Sequence, residues 1–496
     1  MPSEEKVVET VTDVSATIEV TREQAHLSEY GATWESTQDP QDPYNWSIWR
    51  KISIAVIVSF GQLITLMSTS MMAAALPQIG SDLDLNSTTT QITFSIYILG
   101  LAFAPFLIAA LSEMYGRRPI WIASNFFYIF WNAMCPVGPS AGLMTLSRFL
   151  AGSGASCGIT LTGPILADMF RAEERGRSLA LATFIPYMGP ALGPIVGGIT
   201  AQHLPWAWLF WILSIFDAGV VAVGFFILSE TYTPVLLARK AAAGWDGSRS
   251  ESTDVGTSNF VLFYRDMRKR LGANLLRPLA LMVYRPVIQV IAVVMALNFA
   301  IYCLLLSTYA TLWIERYHES ETISSLNYIS LAIGTIIASQ AGGPLMDWIY
   351  VQMKLRHRGE VEAVPEFRVP FLIPGVIIMP LGIFIYGWAA EKNLHWMVVN
   401  TGTAIFVCGS FILGQGMLAY LLDEFTKHAA SANAAARMLS NILGFVFPIF
   451  APDMYKALGY GWGNTVLGSI WVVLGFPIPI LLWVYGARLR ALGRRG

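Results

Sequence analysis

Twelve apolar stretches, each long enough to cross a bilayer, restrict this chain to very few architectures. They run over residues 52–75, 92–112, 119–139, 141–168, 178–201, 207–229, 286–312, 324–346, 369–390, 395–422, 432–455 and 463–486. About 20 helical residues cover the ~30 Å hydrocarbon core. Backbone polar groups in lipid must be satisfied within the segment, so each stretch is expected to be an α-helix. A membrane β-barrel would show short alternating strands instead. Composition agrees: 54% of the 496 residues are hydrophobic and 13% charged, whereas soluble domains carry about 25% charged residues. The expected fold class is all-α and integral to the membrane.

Charge placement orients the chain. Of its 32 lysines and arginines, Arg148 and Arg437 fall inside spans, and Arg316, Lys392 and Lys456 occupy one set of connections. The remaining 27 lie in the N-terminal region, the even-to-odd connections and the C-terminus. Basic connections stay on the cytoplasmic side, so both termini are expected there. Twelve crossings also require both ends on one side. The net charge of −1 says nothing about nucleic acid, and no nucleic-acid partner is expected.

Residues 1–49 are polar and acidic and lack the apolar core of a signal peptide. They are expected to form a disordered cytoplasmic tail. The longest internal polar segment, 230–285, holds nine basic residues from Arg239 to Arg285 and a Gly/Ser-rich centre. It separates six spans over 50–229 from six over 286–487, with a short cytoplasmic tail at 488–496. A weak repeat supports two six-helix halves: Gly343-x-Leu345-x-Asp347 after span eight echoes Ala109-x-Leu111-x-Glu113 after span two. Cys135, Cys157, Cys303 and Cys408 all sit in spans without metal-ligand spacing and read as small buried groups. With no nucleotide loop, catalytic triad or metal motif in the sequence, an enzyme, an ATP-driven pump and a bound cofactor are not expected.

Charged and special residues inside the spans are the functional candidates. Arg148 lies about two turns inside span four, where a charge must face the protein interior or water. It reads either as a cavity residue for substrate or proton coupling, or as a structural arginine. Asp217, near the middle of span six, is the one deep carboxylate, and reads as a proton carrier or as a helix-packing group. Arg437, early in span eleven, is expected to snorkel toward the cytoplasmic interface in a structural role. Gln62, Asn298, Tyr302, Tyr309, Gln340 and Gln415 are candidate cavity-lining groups. Span five carries Gly189-Pro190, Gly193-Pro194 and Gly197-Gly198, which suit a kinked, closely packed helix acting as pivot or seal. In LSEMYGRRP, Gly116 permits a tight turn, and Glu113, Arg117 and Arg118 suit a cytoplasmic gate with Asp168 as partner. Asn86-Ser87-Thr88 is a glycosylation sequon close to the membrane.

LSEMYGRRP resembles the loop between spans two and three of major facilitator transporters. Arg148-x-x-x-Gly152-x-Gly154 resembles that superfamily's span-four pattern, which is associated with proton coupling. The span-five pattern resembles the antiporter motif of its exporting members. DPYNWSIWRK, SETYTPVLLARKAA, VPEFRVP and APDMYKALGYGWGN are similar to fungal twelve-span drug:proton antiporters, a likeness running from about Asp42 to Arg490. Ala109 stands where the superfamily often has glycine. The resemblance implies a monomeric plasma-membrane carrier working by alternating access, which exports a small organic compound against protons. Antifungals, toxins, secondary metabolites, polyamines and organic acids are the substrates it brings into view. With Asp217 the single deep carboxylate and Arg148 the single deep cation, a neutral or weakly charged compound is expected. An organic-acid exporter and an uptake uniporter remain alternatives. A transporter-like receptor is disfavoured, because only about ten residues follow span twelve.

Overall fold

A computed structural model describes residues 33–36, 38–138, 140–170, 185–243, 279–356, 364–425 and 429–493. The tail through residue 32, the linker over 244–278, residues 178–184 of span five, residues 357–363 and the last three residues lie outside the described residues. The crossing helices are α1 (Ile48–Ser70), α2 (Ser87–Tyr115), α3 (Arg117–Met134), α4 (Ala141–Met169), α5 (Gly189–His203) and α6 (Ala207–Ile227). They continue as α7 (Pro286–Thr311), α8 (Ile329–Arg356), α9 (Val369–Glu391), α10 (Trp396–Glu424), α11 (Ala429–Gly475) and α12 (Pro477–Gly493). No strand occurs among the described residues.

Nine stretches among the described residues are long and apolar enough to cross a membrane, and one of them, Ala432–Leu492, is 61 residues long. That stretch is two crossings. At Gly459 the backbone takes φ 70°, a conformation glycine adopts without strain, and the chain turns back on itself. Tyr455 stacks on Tyr460 at 4.5 Å, and the Tyr455 hydroxyl donates to Asn464 Oδ1 at 3.1 Å. The returning limb runs antiparallel to α9: Trp462 meets Trp388, and Trp471 Nε1 donates to the Val376 carbonyl at 3.2 Å. α3 and the described part of α5 are shorter, at 18 and 15 residues.

Packing follows one scheme twice. α4 is the hub of the first bundle, with Gly152 against Tyr97 of α2, Gly154 against Tyr128 of α3 and Gly158 against Gly61 and Thr65 of α1. In the second bundle α10 is the hub. Ala404 packs on Gly334 of α8, and Gly402 and Gly409 pack on Tyr386 and Met379 of α9. Small residues let backbones approach closely where lipid offers no hydrophobic drive between helices.

For residues 33–36 and 38–49 the structure corrects the expected disorder. Trp34 and Trp46 are buried, and Pro43–Asn45 forms a 3-10 turn capped by Asp42. Lys240, on the helix Thr233–Ala243 that follows α6, contacts Glu35 and Asp39, both at 3.1 Å. The segment before α1 therefore packs on the start of the linker. Two tryptophans to bury and a carboxylate facing a lysine offset its ordering entropy.

Candidate functional site

The polar centre of the first bundle is built around Arg148, which is 1% exposed. Its Nη1 and Nη2 both donate to the Ser68 carbonyl at 3.3 Å, and Nη2 also donates to the Phe94 carbonyl at 3.3 Å. Ser68 sits where α1 gives way to a 3-10 turn at Met71–Ala75, and carbonyls at such a transition lose helix partners. The guanidinium also lies over the Tyr97 ring at 4.5 Å. Arg148 thus ties α4 to α1 and α2.

Asp217 on α6 is fully buried, and neither carboxyl oxygen has a hydrogen-bond partner. Among the described residues no ion pair joins it to Arg148. Tyr97 and Tyr128 stand within electrostatic range of both. The Tyr128 hydroxyl donates to Ser68 Oγ at 3.2 Å and that of Tyr97 to the Thr65 carbonyl at 3.1 Å. The sequence reading singled out neither tyrosine, since a tyrosine in an apolar span looks like core or interface. Near the buried cation and the buried carboxyl lie two phenols and a serine, groups that both donate and accept.

A second group gathers where α2, α4 and α6 end and α3 begins. Gly116 has φ 102°, and a Cβ there would collide with the Glu230 carboxylate. Glu230 accepts from the Arg117 N–H at 2.8 Å and the Arg118 N–H at 3.3 Å, placing negative charge on the α3 N-terminus. The Arg117 side chain donates to Ser112 Oγ at 2.6 Å and pairs with Asp168 at 3.3 Å, and Arg118 reaches the Phe225 carbonyl at 2.7 Å. Glu113 is exposed; the carboxylate that caps α3 is Glu230. Its signal in the sequence was an acid at the end of span six.

The second bundle has a counterpart. Arg368, just before α9, pairs with Asp423 at 2.9 Å and with Asp347 at 3.7 Å. Arg490 near the end of α12 pairs with Glu366 at 2.8 Å and Glu424 at 3.3 Å. Arg368 stands to α9 and α10 as Arg117 stands to α3 and α4. It follows a longer connection instead of a Gly-Arg-Arg turn, which hid the equivalence.

The two bundles join on the opposite face. Gln78 Nε2 donates to Glu321 Oε1 at 2.5 Å, and the Thr322 N–H donates to Gln202 Oε1 at 3.1 Å. At mid-depth Asn441 Nδ2 donates to the Leu101 carbonyl at 3.0 Å. In α5 the glycines divide their work. A Cβ on Gly189 would lie 2.7 Å from Leu66 Cβ, on Gly193 2.8 Å from the Met67 carbonyl and on Gly197 2.5 Å from the Met71 carbonyl. Spaced four apart, they seat α5 on α1 and on the 3-10 turn that continues it, within the same bundle. Gly198 alone faces Ser325 and Glu321 across the seam. Pro190 lies in the first turn of α5 and Pro194 in its interior.

Between α5 and α8 lies a cleft of about 170 Å³, mostly apolar, with Tyr187, Thr335, Ser339 and Gln340 among its lining residues. Tyr187 meets Phe411 of α10 edge-on at 4.9 Å. Gln62 and Asn298 are part-buried and buried, each with an oxygen lacking a partner; Asn298 Nδ2 donates to the Ser410 carbonyl at 3.0 Å. Tyr302 stacks on Phe299, and Gln415 abuts Gly342 where α8 meets α10. Tyr309 does not join them: it is fully buried, with its hydroxyl donating to Asn400 Oδ1 at 2.6 Å. Asn86 caps α2, accepting from the Thr89 N–H at 2.7 Å. Arg437 is exposed despite its place inside α11, and Tyr187 of the first bundle is within electrostatic range.

The family model of the Major Facilitator Superfamily matches residues 58–448. The chain is 38% identical over 463 residues to an uncharacterized transporter of Schizosaccharomyces pombe, covering 93% of each. It is 37% identical over 427 residues to the probable efflux pump mfs2 of Aspergillus flavus, covering 85% of this chain and 98% of that one. It is 36% identical over 467 residues to the efflux pump vrtL of Penicillium aethiopicum, covering 93% of this chain and 90% of that one. Among solved structures, the xylose transporter XylE from E. coli in a partially occluded inward-open conformation aligns with TM-score 0.61 at 15% identity. That alignment covers 88% of this chain and 97% of XylE.

Proposed function

The chain belongs to the major facilitator superfamily, and from that premise we propose that it is a proton-coupled exporter of a small organic compound at the plasma membrane. Multi-pass membrane transport is the activity common to its relatives, several of which are named efflux pumps. The observation that carries proton coupling is Asp217, a fully buried carboxyl with no hydrogen-bond partner, next to the phenols that border Arg148. A carboxyl in that setting takes up and releases a proton without breaking an ion pair. No bound cofactor is invoked; the proton gradient supplies the energy.

The positive-inside rule puts the Arg117 and Arg490 clusters in the cytoplasm together with both termini. The seam through Gln78, Glu321 and Thr322 is then the outer seal, closed in this state. Glu113, Arg117, Arg118 and Asp168 serve as the cytoplasmic gate, with Glu230 holding α3 in place. α5 is the pivot: its glycine stripe keeps it rigid on α1, while Gly198 meets the other bundle. Gln62, Asn298, Tyr302, Gln340 and Gln415 offer hydrogen bonds around an otherwise apolar cavity, which suits a secondary metabolite, toxin or drug. The carrier works as a monomer, the bundle seam being the moving interface.

The test is efflux from intact cells at external pH 5 and 7.5. Efflux rises in acid for the wild type, and Asp217→Asn folds but loses that dependence. An unchanged pH dependence in the variant excludes Asp217 as the carrier.

A further inference from the structure

The sequence suggests that Arg437 snorkels to the cytoplasmic interface in a structural role; the structure shows it exposed on α11. It stands eight residues after the start of α11, about 12 Å along the axis. Val446, nine positions later, lies about 180° around the helix from it. Val446 and Phe450 are among the exposed apolar residues that face lipid. Asn441, four positions on from Arg437, shares its face and bonds to Leu101 of α2. Arg437 therefore lies on the face of α11 that meets the first bundle.

Its bonding is sparse for a charge at this depth. Nε donates to Asn433 Oδ1 of the same helix at 3.2 Å. Among the described residues, no carboxylate pairs with it. Arg148 offers the contrast: it is 1% exposed, and its Nη donors are spent on backbone carbonyls. Tyr187, within electrostatic range of Arg437, lines an apolar cleft that also presents Gln340, and a guanidinium is a planar fork suited to bidentate recognition of an anion. Unlike Arg148, Arg437 is thus exposed, and a guanidinium stays charged throughout the cycle.

We propose that Arg437 selects the cargo by binding an anionic group, a carboxylate or its equivalent, on an otherwise apolar organic molecule. This deepens the exporter reading and rests on it for the identity of the crevice. The substrate class becomes amphiphilic organic anions in place of neutral compounds.

Two dyes on one xanthene frame test it: fluorescein, an anion at pH 7.5, and rhodamine 6G, a cationic ester. Full-length protein purified in detergent is titrated against each, with fluorescence anisotropy read relative to protein-free micelles. Wild type is expected to bind fluorescein about tenfold more tightly than rhodamine 6G. Arg437→Gln should lose that tenfold advantage while leaving rhodamine 6G unchanged, and Arg437→Lys should keep most of it. Equal binding of the two dyes, absence of fluorescein binding by the wild type, or a loss in Arg437→Gln that is nil or the same for both dyes overturns the proposal. Equilibrium binding is blind to direction and coupling. A failure of the export reading shows separately, as dye selectivity without gradient-driven flux.

Discussion

At the scale of single residues, Arg148 and Asp217 announce themselves in the sequence, because a charge in a 20-residue apolar run has few tolerable environments. Their relationship does not. Only the fold shows that Arg148 spends its donors on Ser68 and Phe94 carbonyls, and that Tyr97 and Tyr128 stand within electrostatic range of both it and Asp217. Arg148→Lys keeps the charge but loses the fork that spans two helices. It is expected to retain less than about a tenth of wild-type transport at equal membrane abundance, measured as initial efflux rate. Near-normal transport would make the two-helix tie dispensable. For Arg437, helical periodicity gives opposite faces, but nothing in one sequence says which face meets lipid. Tyr309 erred, because a polar tip in an apolar span reads equally as cavity lining or as core.

At the scale of elements, the helices were legible and their partners were not. The glycine and proline spacing of span five foretold close packing: Gly189 and Gly193 press on α1, Gly197 on the 3-10 turn after it, and Gly198 faces the other bundle. Gly193→Val drives methyl groups into the Met67 carbonyl and Ser70, an overpacking cost of about 1–3 kcal/mol. Reduced folded yield in detergent is the expected result. Gly198→Val leaves yield intact but props the outer seal open. A cysteine placed at Thr322 then reacts faster with an impermeant thiol reagent applied from outside; an unchanged rate means that the seam does not depend on Gly198.

The segment before α1 gives a pH-dependent prediction. Burial raises the Asp39 carboxyl, but the Gln41 and Glu35 amides and Lys240 outweigh it, so the group ends below its usual value. A depressed carboxylate stabilises the docked segment above the unfolded pKa of about 3.9 and loses that contribution as pH falls through the folded value. Protease cleavage near Trp34 should therefore stay slow from neutral pH down to about 4 and quicken in stronger acid. Lys240→Ala should quicken it at neutral pH as well.

At the scale of the whole molecule, length, hydropathy and charge asymmetry were enough to indicate an all-α membrane carrier, and the family match agrees. The clusters around Arg368 and Arg490 were hidden because they join residues from α8, the connection before α9, the end of α10 and α12, which no local motif reveals. The central claim is that protons moving inward drive an organic compound outward. Everted plasma-membrane vesicles, whose lumen corresponds to the cell exterior, test it with fluorescein or rhodamine 6G in the bath. An acidified lumen should drive dye accumulation that a protonophore collapses and that Asp217→Asn abolishes. Accumulation indifferent to lumen pH and protonophore, or dye leaving the lumen as protons leave it, would contradict proton-coupled export.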